Sequence, residues 1–150
     1  MVKRSVGTVM GALVVLFLLI QLVPYGRQHT NPPVVSEPTW SSPEAEALAR
    51  RACYDCHSNE TVWPWYSNIA PFSWLVQHDV EEGRSRLNFS EWGIGRQEVR
   101  EGAEVILEGE MPPAIYLPTH PQARLTDQEK ELLAQEMRRL AQFAGRDGRD

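Results

Sequence analysis

The hydrophobic pattern divides the chain before any single residue is weighed. From Val6 to Val23 it runs 18 residues without a charge, with Thr8 and Gln21 as polar interruptions, and Lys3 and Arg4 stand just ahead. As a helix at 1.5 Å per residue the run would be about 27 Å long, close to the roughly 30 Å of bilayer hydrocarbon, with Tyr25 and Arg27 at the interface. The expectation is an N-terminal transmembrane helix within residues 1–25, behind a short cytoplasmic start. A cleaved signal peptide would want a shorter apolar run and an Ala-x-Ala-like site, and neither is present. The leading Lys3 and Arg4 predict a single-pass inner-membrane protein, its N-terminus cytoplasmic and the rest periplasmic or otherwise extracytoplasmic. Pro24, Pro32, Pro33 and Pro38, with few large apolar neighbours, mark the stretch to Ser42 as extended. Residues 26–42 therefore read as a Pro-rich tether, and in polyproline form the 19 residues from Pro24 to Ser42 could hold a domain roughly 55–60 Å from the bilayer.

Residues 43–145 carry helical signals, and 146–150 form a polar tail. A helix should open near Ser41 or Ser42 with Pro43 at its first position and Glu44 and Glu46 in its first turn. Pro71 should open another, running through Trp74, Leu75 and His78 toward Gly83, in a stretch that holds four of the five tryptophans and reads as an aromatic shell. Val99, Ala103, Ile106 and Leu107 recur at helical spacing and stop at Gly109, after which Met111-Pro112-Pro113 forces a loop. Thr126-Asp127-Gln128-Glu129 is a capping box, followed by an apolar face of Leu132, Leu133, Met137, Leu140 and Phe143 or Ala144. No alternating strand pattern or internal repeat is visible, so the expected fold is all-α.

Charge narrows the function. With Lys3 and Arg4 set aside, 13 basic residues face 20 acidic ones from Pro24 onward, which excludes the basic patch that nucleic acid requires. Redox protein partners fit better. The two cysteines stand three residues apart and cannot staple distant loops.

Cys53-Tyr54-Asp55-Cys56-His57 matches the attachment signature of c-type haem, in which two thiols form thioethers with the vinyl groups and the adjacent His binds the iron. Two cysteines at this spacing share one side of a helical turn, and the next residue projects its imidazole toward the metal. His57 is the expected proximal ligand, its other ring nitrogen held by a backbone carbonyl. A zinc site would need four ligands that the chain does not supply. A thioredoxin-like pair would open a helix after a strand, whereas this one ends a helix. For the distal position Met111 leads, because Pro112 and Pro113 stiffen the loop that carries it. His78, His120 and an open or water-filled position are the alternatives, and His29 is set aside because it falls in the tether.

These residues resemble a family of bacterial haem-binding domains, small exported c-type cytochrome modules, over about Ala45 to Phe143. The likeness is carried by Cys53–Thr61, by Pro64-Trp65-Tyr66-Ser67, by Ser73-Trp74-Leu75-Val76 with Asp79-Val80 and Gly83-Arg84, by Asn88-Phe89-Ser90-Glu91-Trp92, and by Gly109-Glu110-Met111-Pro112-Pro113 with Tyr116 and His120. It implies a small cytochrome c-like helical domain around one covalent haem c, at Cys53, Cys56 and His57, with Met111 as the second ligand. Similar modules accompany cytochrome c peroxidase-like domains, which implies an electron relay with partners at the outer face of the membrane rather than an enzyme. The rival expectations are a haem-based sensor with an open iron position and a scaffold that needs haem to fold. Asn59-Glu60-Thr61 and Asn88-Phe89-Ser90 match glycosylation sequons, but nearby Trp63 and Trp92 suggest that both asparagines serve turns and caps.

Overall fold

A computed structural model describes residues 2–94 and 98–144, with side chains from 6 to 94 and from 98 to 143. Met1, the side chains of Lys3 and Arg4, and the expected tail 146–150 lie outside the described residues. The described elements are α1 (Val2–Ile20), α2 (Pro43–Ala52), α3 (Tyr54–His57), α4 (Phe72–Arg86), α5 (Val99–Glu108) and α6 (Asp127–Ala144), with short 3-10 turns at Trp65–Asn68 and Pro121–Ala123. The all-helical expectation holds, with one isolated bridge between Ser36 and Glu91 among the described residues. Two compact units result: Met1–Thr30 with Trp63–Asp79, and Asn31–Val62 with Val80–Asp150.

In the first unit the expected transmembrane helix is corrected. Among the described residues no helix is long and apolar enough to cross a membrane. The physical reason is where α1 stops. It ends at Ile20, and the Gln21 carboxamide donates to the Ala70 carbonyl (2.9 Å) and accepts from the Ala70 amide (2.9 Å), so Gln21 and Leu22 form a turn and Val23 follows it outside the helix. Val6 to Ile20 is then about 22 Å of uncharged helix, short of the roughly 30 Å required. The inner-membrane, outward-facing placement that rested on this span falls with it. Farther along the unit, His29 stacks on Trp63 at 4.7 Å and meets the Ser67 hydroxyl at 2.9 Å. Trp65 is 77% exposed, so the aromatic stretch is only partly a shell.

In the second unit α2, α5 and α6 bury Leu48, Ala49, Val99, Ala103, Ile106, Leu133, Ala134, Met137 and Leu140 in one cluster. The caps fall where the sequence places them. Ser42 Oγ accepts from the Ala45 amide with Pro43 at the first position, and Thr126 and Glu129 cap reciprocally. Gly109, at φ 77°, closes α5 in the left-handed region.

The segment expected as a tether does not stand clear of the helices. The Val35 and Ser36 amides donate to the Ser90 carbonyl, Trp40 packs on the cluster, and the Ser41 amide and hydroxyl donate to the Glu136 carboxylate. Polar contacts and aromatic anchors, not a run of apolar residues, hold it down, and composition does not register these.

Candidate functional site

The site begins where α2 ends. Cys53 caps that helix, its amide donating to the Ala49 carbonyl (2.8 Å), and its own carbonyl then accepts from the Cys56 amide (3.1 Å) and the His57 amide (2.9 Å). The single turn of α3 therefore gathers both thiols and the imidazole. Cys53 packs against the apolar cluster, and burial followed by the neighbouring Cys56 pushes its thiol up to about 12. That is opposite to the lowered thiol of a redox-active dithiol.

The last turn of α4 lies on this motif. His57 Nδ1 is 3.0 Å from the Gly83 carbonyl and 3.1 Å from the Leu87 carbonyl, and because carbonyls only accept, Nδ1 carries the proton. Nε2 keeps its lone pair. Burial lowers the imidazole below its ordinary value, outweighing the two carbonyls that oppose it, so the ring is neutral near pH 7. A Cβ on Gly83 would sit 2.4 Å from the Cys56 carbonyl oxygen, which is why a helix tolerates glycine here.

The chain leaving the motif is fixed just as tightly. The Phe89 amide donates to the His57 carbonyl (2.8 Å), and Arg84 Nε donates to the Ser58 carbonyl (2.7 Å). Asn88 Nδ2 donates to Asn59 Oδ1 (3.0 Å), and the Ser90 hydroxyl accepts from the Asn59 amide (2.9 Å). Asn59 and Asn88 are buried, so both sequons are closed to a glycan and serve the turn.

Met111 follows α5, its amide donating to the Val105 carbonyl at 3.1 Å. The side chain is 36% exposed and sits between Glu110 and the buried Pro112. The loop it opens returns to the motif through Tyr116, whose hydroxyl donates to Asp55 Oδ2 at 2.5 Å. Thus Cys53, Cys56 and His57 share a turn, and the Met111 loop is joined to that turn. His120 stacks on Tyr116 at 3.8 Å, with Nδ1 beside the Thr119 hydroxyl and the Tyr116 carbonyl. His78 is exposed on the part of α4 that belongs to the first unit.

Sequence reasoning missed the roles of Gly83, Leu87, Asp55 and Tyr116. Gly83 inside a helix and an acid between two cysteines were the available signals. Among the described residues no group of three His, Cys, Asp or Glu side chains forms a metal cage. One imidazole with an unprotonated Nε2, two thiols on the same turn and a thioether on a joined loop are the donor set that a haem iron and two vinyl groups would use. The profile of a family described as a haem-binding domain matches residues 15–138. No curated protein and no solved structure matches the chain.

Proposed function

We propose that this chain, which belongs to the haem-binding domain family, holds one haem c through thioethers at Cys53 and Cys56, with His57 and Met111 as axial ligands, and passes single electrons between redox proteins. The observation that carries the reading is the His57 ring, whose Nδ1 is committed to two carbonyls of the α4 terminus, leaving Nε2 to a metal. When bound, the haem supplies an iron able to cycle between two oxidation states.

The chain does the rest. Cys53 and Cys56 fix the group on α3 so that it cannot dissociate between transfers. The Gly83 and Leu87 carbonyls hold the ring of His57 in one tautomer and raise its strength as a donor. Met111 offers a soft sulfur from a loop stiffened by Pro112 and Pro113, a pairing that raises the reduction potential. The proposed role is electron transfer rather than catalysis.

Purified holoprotein tests the attachment. Haem should stay with the polypeptide through denaturing electrophoresis and acid-acetone extraction, and Cys53→Ser or Cys56→Ser should weaken or abolish that retention. Complete extraction of haem from the unaltered chain overturns the reading. For the axial pair, the ferric protein should show the weak far-red sulfur-to-iron band, and Met111→Ala should remove it and open the ferrous iron to carbon monoxide. Rapid, full binding of carbon monoxide by the unaltered protein would instead favour a ligand-binding sensor.

A further inference from the structure

We infer that the hydrogen bond from Tyr116 to Asp55 holds the Met111 loop against the haem-attachment turn, which makes Asp55 and Tyr116 positioning residues for the second axial ligand. The inference rests on the reading of Met111 as that ligand.

Asp55 is built to receive the bond. It lies between the two cysteines and moves with them, and its carboxylate is preset because Oδ1 accepts from the Val62 amide at 2.9 Å. The Thr61 hydroxyl also donates to the Asp55 carbonyl at 2.7 Å, closing the turn on itself. Oδ2 remains for the loop and accepts from the Tyr116 hydroxyl at 2.5 Å. A hydrogen bond to an ionised acceptor is roughly twice as strong as a neutral one.

Tyr116 is equally constrained. Its amide donates to the Pro113 carbonyl (2.9 Å), and its own carbonyl accepts from the Thr119 and His120 amides. These bonds give the loop its internal shape but do not place it against the motif. The His120 ring, 3.8 Å from the Tyr116 ring and tilted by 7°, covers one face of the phenol and limits its swing. At the far end the loop passes into a 3-10 turn with Ala123 buried, and Arg51 donates to the Gln122 carbonyl at 2.7 Å. The bond between Tyr116 and Asp55 therefore connects the middle of a shaped loop to the motif, five residues beyond the proposed ligand. Pro112 and Pro113 transmit its position to the sulfur, since their fixed φ leaves little slack.

The test uses the full-length, haem-loaded protein and imidazole, which competes with Met111 at ferric iron. Tyr116→Phe and Asp55→Asn should each keep covalent haem and helical content yet raise imidazole affinity about tenfold, the factor that 1.4 kcal/mol represents. The double variant should do no more than Tyr116→Phe alone, because Asp55→Asn, by removing the charge, weakens the same bond that Tyr116→Phe removes. Imidazole affinity and far-red band intensity unchanged in both single variants would overturn the inference, even if melting temperature fell. So would additive effects in the double variant. Met111→Ala separates this failure from that of the underlying reading: if it leaves imidazole affinity unchanged, Met111 is not the ligand and both ideas fall. If Tyr116→Phe does not fold, Asp55→Asn with the same readouts decides.

Discussion

At the scale of single residues, the tightest constraint is the meeting of Gly83 with Cys56. A methyl at position 83 would lie 2.4 Å from a backbone oxygen and 3.1 Å from the Cys56 Cβ, so no rotamer change relieves it. Alanine favours a helix interior over glycine by about 1 kcal/mol, whereas overpacking a close contact costs about 1–3 kcal/mol. The clash should win. Gly83→Ala should lower the urea midpoint and reduce haem loading, because the displaced turn carries both thiols and the ring of His57. A midpoint equal to or above that of the unaltered protein would show that α4 can slide. That Cys53, Cys56 and His57 share one turn was legible because their spacing is local, five residues in a row. The ring's partners were not, since Gly83 lies 26 residues from His57 and Tyr116 lies 61 from Asp55. Spacing along the chain says nothing about such pairings.

At the scale of elements, helix ends were read well and the Pro-rich segment poorly. Ser42, Thr126 and Gly109 act through neighbours three or four residues away, so their roles follow from the sequence directly. Ser42→Ala should cost about 1 kcal/mol, measured by chemical denaturation, because the Ala45 amide loses its acceptor. The segment before α2 depends instead on Glu136, 95 residues away, whose carboxylate accepts from the Ser41 amide (2.9 Å) and hydroxyl (2.5 Å). Burial alone would raise the carboxyl of Glu136, but hydrogen bonds from Arg139 and Ser41 outweigh it and hold it below the usual range. A carboxyl depressed in the folded state stabilises the fold above its unfolded value, near 4.5, and loses that contribution as pH falls through the folded value. Acid unfolding below about pH 4.5 should therefore be shallower in Glu136→Gln than in the unaltered chain. The variant should also be less stable at pH 7. Equal pH dependence in the two proteins would remove Glu136 from the account.

At the scale of the whole molecule, the excess of acidic over basic residues bears on the proposed partners. Electron transfer with a basic redox protein should slow several-fold as ionic strength rises from about 10 to 150 mM, because salt screens the attraction that speeds encounter. A partner of negative net charge should show the reverse, and no salt dependence with either would dismiss electrostatic steering. The membrane expectation failed at this scale for a simple reason. A count of uncharged residues takes Val6–Val23 as one helix, but the chain turns at Gln21 to reach Ala70, a contact that no window over the sequence contains.

The clustered rings of the second unit have an optical consequence. Phe89 lies 5.4 Å from Trp40, 6.3 Å from Trp92 and 5.3 Å from Tyr54, the residue that follows the first cysteine. Both indoles therefore sit one ring away from a side chain of the attachment turn. A porphyrin fixed on that turn absorbs where tryptophan emits, so the fluorescence of Trp40 and Trp92 should be dim in the loaded protein and bright in chains that have never received the group. The fluorophores needed to follow maturation are already in place, without a label or an added reporter.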